Sequence, residues 1–446
     1  MPQFNIPDEV KEILKKFDAK NFEIYIVGGA VRDLLMGKIP DDWDFTTNAH
    51  PEEIIKILGE DAYYDNKFGT VGLPSKGDLD PFEITTFRTE SGYSDSRRPD
   101  KVSWGKSLEE DLERRDFTIN AIALDQNLKI IDPYGGQKDL DKKIIRAVGD
   151  ANARFKEDAL RMMRAMRIAS QLNFKIMNAT FEAIKANTKL INKISKERVK
   201  DELFKILSSL HPYEGILMLK DSGLLKEILP EVEKMFGVEQ KSPGRHHIYD
   251  VGTHSVMSLK FCKSDDPVTR FATLIHDIGK PGTMKKLEIG TITFYNHEVV
   301  GTNIARHIAE RLRFSKHETE KLLKLVRWHQ FTVNESQTDS AIRRFIKNVG
   351  IENLEDMIIL RTADRLGSGA KETSWRTEDF KKRLIEVQKQ PFSIKDLKIN
   401  GLDVMKELNI PSGPEVGKIL EKLFKEVEEK KIENERASLL NHLHHQ

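Results

Sequence analysis

The pattern of apolar and polar positions changes character near residue 150. Before it, the short runs FEIYIV, GTVGL, FEITTFR, TINAIALD and LKIIDP recur between turn signals. They are rich in β-branched and aromatic residues and predict the strands of an α/β domain. Beyond it, apolar residues return at helical spacing. The segments EDALRMMRAMRIASQL, NATFEAIKANTKLI, KERVKDELFKILSSL, VTRFATLIHDIGK, HETEKLLKLVRWHQ and GPEVGKILEKLFKEVEEKK predict helices. Glycine, proline and serine together mark Gly237 to Arg245 as a linker. Further breaks fall at Leu366 to Ser374 and at QPFSIKDLKINGLDV, an irregular lead into the last helix pair. There is no repeat of fixed period and no low-complexity tract.

The run FEIYIVGGAVRD reads as a strand, a glycine turn at Gly28-Gly29 and a helix start carrying Arg32. Such a turn lets backbone N–H groups approach phosphate closely. Asp42 and Asp44 follow. In a strand, positions i and i+2 share a face, so the two carboxylates meet and Trp43 points the other way. Like charges that close are tolerated mainly around a cation. Mg²⁺ takes one or two carboxylates together with substrate phosphates. A glycine pair or an Asp-x-Asp alone is usually only a turn or a loop. In this order they point to chemistry on a nucleoside triphosphate.

Two later constellations extend that picture. Arg115, Asp116 and Asn120 stand where a helical turn, EEDLE, joins the predicted strand TINAIALD. A guanidinium there can bind triphosphate oxygens bidentately. Asp158 and Arg161, in EDALR, fall at i and i+3 and on one helical face, where an ordinary ion pair is the plain reading. Arg164 and Arg167 continue at the same step, and each step drifts about 60° around the helix. Arg164 therefore still faces the nucleotide, while Arg167 turns toward a phosphate or a packing role.

Composition sets limits. The chain has 446 residues, 32% charged and 39% hydrophobic, enough for several cores. No apolar run approaches the ~18 residues that span a bilayer, and MPQFNIPDEVKEILKKF lacks the apolar region of a secretory signal. Cys262 is the one cysteine, so no internal disulfide forms, as suits a reducing cytoplasm. With 72 basic and 71 acidic residues, net charge says nothing of nucleic acid. Local segregation does: Lys142 to Lys175 holds nine Lys or Arg against Asp150, Glu157 and Asp158, a phosphate-facing stretch beside the candidate catalytic domain.

GGAVRDLLMGKIPDDWDFTT, RRDFTINAIA and EDALR resemble the motifs of class II tRNA nucleotidyltransferases and bacterial poly(A) polymerases. KERVKDELFKIL and DLKINGLDVMKELNIPSGPEVGKILEKL resemble the neck and tail of bacterial CCA-adding enzymes, so the likeness spans most of the chain. The resemblance implies a multidomain α+β protein: a polymerase-β-like α/β head over 1–150, a helical neck over 151–235, a helical body over 246–370 and a helical tail over 376–446. It implies attack of an RNA 3′-hydroxyl on an α-phosphate, with two metals about 3.5–4 Å apart. Asp42 and Asp44 would hold Mg²⁺, with Glu83 in FEITTFR a candidate third carboxylate. Gly28, Gly29, Arg32 and Arg115 would bind the triphosphate side, and Asp116 and Asn120 would order the sugar-side pocket.

In that family the EDxxR motif reads the incoming base. Asp158 would accept from cytosine N4 or adenine N6, and Arg161 would donate to ring acceptors. Guanine and uracil would leave acceptors unpaired, at about 1–3 kcal/mol each. The loop RTESGYSDSRRPDKVSWGKSLEEDL is present in full, which argues against addition of C alone. Complete C-C-A addition to the tRNA acceptor arm from CTP and ATP is favoured. A-addition and poly(A) synthesis stay open behind it.

A separate signal lies in the helical half. His254, His276-Asp277 and Asp364 occur in the order H…HD…D, the signature of HD-domain phosphohydrolases. Histidine and carboxylate suit a divalent metal such as Ni²⁺, Mn²⁺ or Mg²⁺. His297 and His329 could extend the set to a second metal. The expected protein is a cytoplasmic transferase with a secondary HD phosphohydrolase activity, no membrane span and no evident obligate protein partner. The competing readings are an HD-domain metal phosphohydrolase with a regulatory nucleotide-binding head, and a non-catalytic RNA-binding protein.

Overall fold

The computed structural model describes residues 4–66, 69–77, 79–91, 101–105, 107–240, 249–287, 290–331, 338–372, 374–388, 394–429 and 431–444. Parts of the predicted loop (92–100 and 106), of the linker (241–245) and of the two later breaks (373 and 390–393) lie outside them. The chain forms two compact units: Met1–Phe236 with His307–Phe314, and Gly237–Arg306 with Ser315–Gln446.

The first unit opens with the helix Asp8–Asp18, which buries Val10, Ile13, Leu14 and Phe17 at helical spacing. A seven-stranded sheet follows. Its order is Tyr63–Asn66, Thr70–Leu73, Phe82–Thr86, Asp44–Thr47, Ile24–Val27, Ala123–Leu124, Ile130–Ile131. The strand Asp44–Thr47 lies between Ile24–Val27, antiparallel with Val27 opposite Asp44, and Phe82–Thr86, parallel with Asp44 opposite Glu83. That register decides the site, because it brings the glycine turn, Asp44 and Glu83 to one end of adjacent strands. Trp43, Phe45 and Ile84 are fully buried beneath them, each worth roughly 1.5–3 kcal/mol or more of apolar burial.

TINAIALD does not form one strand. Thr118–Asn120 is a 3-10 turn, and only Ala123–Leu124 joins the sheet. The expected helix at EDALR is also divided. One helix, Ala151–Glu157, ends at Asp158, whose backbone is extended, and the next runs Leu160–Leu172. The change of character near residue 150 is not a physical gap, since Ile144–Ile145 pairs in parallel with Lys175–Ile176 across it.

The second unit is helical. Its central helix, Pro267–Ile275, is capped by Asp266 and buries Val268, Phe271, Ala272, Leu274 and Ile275. Residues near its end form a separate apolar cluster of Leu397, Ile399, Val404, Val416, Leu423, Val427, Leu439 and Leu443.

Candidate functional site

The head site is built at the turn between Ile24–Val27 and the helix Gly29–Leu35. Gly28 sits at φ +74° and ψ −136°, a region open in practice to glycine. A Cβ there would lie 3.1 Å from Asp44 Oδ2 and 3.2 Å from Arg115 Nη1. Glycine thus lets the backbone, the carboxylate and the guanidinium share one small space. Asp42 precedes the strand rather than lying in it, at a bend. Trp43 also precedes the strand, so the alternation expected over Asp42-Trp43-Asp44 does not extend across it, yet its ring is fully buried.

Electrostatics mark the same spot. Burial, then the charge of Asp42, pushes Asp44 up to about 6; Glu83 adds to this, and Arg115 and Arg164 oppose it. Asp42 is raised by burial and by Asp80. Carboxylates held together at such cost fit a divalent cation, which would favour their charged forms.

Behind the carboxylates runs a polar chain. Arg32 forks onto Asp33 at 2.8 and 2.9 Å and donates to Asn120 Oδ1 at 3.1 Å. Asn120 donates to Asp116 Oδ1 at 3.2 Å, and Arg164 donates to Asp116 Oδ2 at 2.7 Å. Burial alone would raise Asp116, but Arg164 and Arg161 hold its carboxyl well below the usual range. Arg115 rests on the buried Asp111 at 3.2 Å, which also carries Arg114.

Asp158 and Arg161 do not form the ordinary ion pair that their spacing allows. The helix breaks at Asp158, and although Arg161 N–H still donates to the Asp158 carbonyl at 3.1 Å, the two side chains take other partners. Asp158 caps the next helix through Leu160 N–H at 3.0 Å and accepts from Arg198 Nη2 at 3.1 Å. Arg161 instead donates to Glu157 at 2.9 Å and to the carbonyl of Arg114 at 2.9 Å. Arg167 donates to Glu202 at 2.7 Å and to Gln171 at 3.1 Å.

In the second unit, His254, His276, Asp277, Asp364, His297 and His329 converge. His254 Nε2 lies 3.1 Å from Asp364 Oδ1 and 3.3 Å from His276 Nε2. His276 Nε2 lies 3.3 Å from Asp277 Oδ2. The other Asp277 oxygen lies 3.3 Å from His297 Nε2 and 3.6 Å from His329 Nε2. Asp277 therefore bridges two donor sets, His254-His276-Asp277 and Asp277-His297-His329. Gly279 makes this possible: a Cβ there would come within 2.0 Å of the His297 carbonyl oxygen, so only glycine lets the helix beginning at His297 approach.

The ring orientations fit metal ligation. His276, His297 and His329 direct Nδ1 at the carbonyls of Thr273, Phe294 and Val326, at 2.7, 2.8 and 2.7 Å. With Nδ1–H donated, Nε2 is a lone pair. Those of His297 and His329 face each other at 3.3 Å, an arrangement a shared cation relieves. Burial holds His329 below its ordinary value, in the neutral form a ligand needs. Lys280 donates to Asp277 Oδ2 and to Gln240 Oε1 at 2.9 Å.

Comparison with known proteins decides the family. The poly(A) polymerase head-domain model matches residues 24–146, and a model described as "Probable RNA and SrmB- binding site of polymerase A" matches 173–236. A second-domain model of tRNA nucleotidyltransferases matches 289–443. A CCA-adding enzyme of Ligilactobacillus salivarius is 38% identical over 441 residues, 98% of this chain and 96% of its own length. The chain belongs to the CCA-adding enzymes.

Another CCA-adding enzyme, from Geobacillus thermodenitrificans, is 47% identical over 212 residues, 48% of this chain and 52% of its own. The crystal structure of the Bacillus stearothermophilus CCA-adding enzyme in complex with CTP is 27% identical. It covers 98% of this chain and 96% of its own, with a TM-score of 0.71. The Thermotoga maritima CCA-adding enzyme bound to tRNA shares the fold at TM-score 0.58 and 21% identity, covering 99% of this chain and 96% of its own. Nucleotidyltransferases of this family use divalent metals, and the two donor sets around Asp277 have the residue types and spacing that could hold one.

Among CCA-adding enzymes, the motif reading of this chain missed four partners: Asp111, Glu157, Arg198 and Lys280. Of these, Arg198 lies forty positions from the Asp158 it pairs with, so no local pattern marks it. A legible signal of this kind exists only for Glu202, buried on the helix Lys196–Leu207 beside Val199, Leu203 and Ile206, where a buried charge calls for a partner, and that partner is Arg167.

Proposed function

We propose that this chain adds C, C and A, without a template, to the 3′ end of tRNA from CTP and ATP, releasing pyrophosphate. The observation that carries the reading is the meeting of Gly28, Asp44 and Arg115. It puts a metal-ready carboxylate and a triphosphate-ready guanidinium against one glycine turn.

Asp42 and Asp44 would hold Mg²⁺, with Glu83, opposite Asp44 across the sheet, within reach of the same charge. Bound there, the metal would activate the RNA 3′-hydroxyl and stabilise the leaving pyrophosphate. Gly28, Gly29 and Arg115 receive the triphosphate. Arg32, Asn120, Asp116 and Arg164 form a braced wall for the sugar side. Asp158 and Arg161 read the base. Each Asp158 oxygen has accepted one bond of the two it can take, so an exocyclic amino group of C or A still finds an acceptor. The tRNA acceptor arm is the macromolecular partner, and the work belongs in the cytoplasm. Separately, no helix among the described residues is long and apolar enough to cross a membrane.

The test is product length. A tRNA lacking its last three nucleotides is incubated with Mg²⁺ and each nucleotide alone or combined. CTP alone should add two residues, ATP alone none, and both together three, ending in A. Use of ATP only on tRNA already ending in C-C would mean A-addition. A long ladder with ATP would mean poly(A) synthesis.

A second activity is favoured by the five residues grouped around Asp277 together with Asp364, 3.1 Å from His254. With Ni²⁺, Mn²⁺ or Mg²⁺ bound by His254, His276, Asp277 and Asp364, and a second ion by Asp277, His297 and His329, the site would hydrolyse a phosphoester. A metal held there would activate a water at neutral pH. Hydrolysis would form one P–O bond from that water, break one ester P–O bond and leave a proton on the departing oxygen. A 2′,3′-cyclic phosphate would open to a monoester.

A further inference from the structure

The HD cluster opens into a cavity of about 820 Å³. A second cavity, of about 620 Å³, adjoins it and shares Gln330, Arg361 and Arg365. Its lining differs in kind. Arg361, Arg365 and Arg376 contribute three guanidinium groups, Trp375 an indole, and Ser374 and Thr377 hydroxyls. No carboxylate among the described residues lines it. Like charges gathered without a carboxylate favour an anion.

The arginines are tied to the metal cluster by one helix. Leu354–Gly367 carries Arg361, Asp364 and Arg365. Arg361 and Arg365 are i and i+4, on one face. Asp364 accepts from Arg361 at 3.0 Å on one oxygen and faces His254 at 3.1 Å with the other. Arg365 thus directly follows the ligand Asp364, and Arg361, about one turn before Arg365 on the same helix, is bonded to Asp364. The guanidinium of Arg365 keeps a buried Nε without a hydrogen-bond partner. At the far side Trp375 is 61% exposed, and the Arg376 guanidinium carbon lies 5.4 Å from its ring. An exposed ring flanked by arginine is the platform on which single-stranded bases stack.

We propose that this second cavity is a nucleotide subsite, and that the HD site takes the end of a single-stranded oligonucleotide rather than a free mononucleotide. The terminal phosphoester lies over the His-Asp cluster. The next phosphate is held by Arg361 and Arg365, and its base stacks on Trp375. This rests on the HD site being a phosphoester site, as proposed above.

The test is binding to the full-length, chelator-treated protein. The probe is a fluorescein-labelled tetraribonucleotide carrying one 4-thiouridine, followed by anisotropy and by photo-crosslink mapping, with AMP as the mononucleotide. Wild type should bind the tetranucleotide at least about tenfold more tightly than AMP, and the crosslink should map to residues 361–377. Trp375→Ala and Arg365→Gln should each remove about tenfold of tetranucleotide affinity, with AMP binding and thermal midpoint unchanged. Arg365→Lys should restore part of it. Unchanged tetranucleotide affinity in both variants, or crosslinks confined to residues before 237, would overturn the subsite. Calorimetric titration with Mn²⁺ and Ni²⁺ separates the two claims. Metal binding without oligonucleotide preference sinks the subsite alone; absence of metal binding sinks the HD reading on which it rests.

Discussion

Arg198 donates to Asp158 at 3.1 Å, and the two residues come from different helical segments forty positions apart in the chain. The pairing fixes the carboxylate proposed above to read the base, at a point where the backbone is extended and gives little restraint of its own. Replacing Arg198 by Met keeps the aliphatic stem and removes the charge. Asp158 then gains rotamer freedom. In competition assays, Arg198→Met should lose several-fold in discrimination of CTP and ATP over UTP and GTP, with tRNA affinity within about threefold of wild type; a partly buried charge-assisted hydrogen bond is worth about 1.5–3 kcal/mol. Unchanged nucleotide ratios would show that Asp158 needs no such brace.

Asp116 gives the pH dependence. Its carboxyl is held below the ordinary range by Arg164 and Arg161, against burial. A folded-state pKa lower than the unfolded one stabilises the protein above the unfolded value, and that stability is lost as pH falls through the folded one. In chemical or thermal unfolding, the gap between wild type and Asp116→Asn should be widest near neutral pH. It should shrink as pH drops below about 4, the unfolded carboxylate range. A gap independent of pH would mean that the charge contributes nothing and only the packing of the site matters.

Asp277 tests the second centre. It bridges both donor sets, so Asp277→Ala should abolish high-affinity Mn²⁺ or Ni²⁺ binding and any hydrolysis of a 2′,3′-cyclic phosphate. Nucleotide addition to tRNA should stay within about twofold, since none of its residues belongs to the head site. Calorimetry and the two activity assays read this directly. Loss of nucleotide addition in a folded variant would contradict the independence of the two centres.

Much of this was legible in the sequence. The glycine turn and the Asp-x-Asp gain meaning from their order, and the H…HD…D series from its ligand types, and the fold brings the members of each together. Trp43 is buried as expected although the strand begins only at Asp44, so its burial follows from its apolar bulk and not from alternation. The failures have a common cause. Helical spacing put Asp158 beside Arg161, but periodicity is silent about a helix that breaks in the middle of an apolar stretch. Asn120 was expected at a strand entry and lies in a 3-10 turn, where its side chain links Arg32 to Asp116. Partners such as Asp111 and Arg198 are set by tertiary packing, which no short window of sequence contains.

The central claim is that Asp44 is a ligand for the head metal and that nucleotide transfer depends on it. The most direct measurement is single-turnover incorporation of CMP by Asp44→Ala into tRNA lacking its last three nucleotides, with tRNA affinity measured alongside. The account predicts a rate lowered by at least about a thousandfold, the scale of losing one principal source of transition-state charge stabilisation, with tRNA affinity near wild type. Incorporation within tenfold of wild type at intact tRNA binding would contradict it.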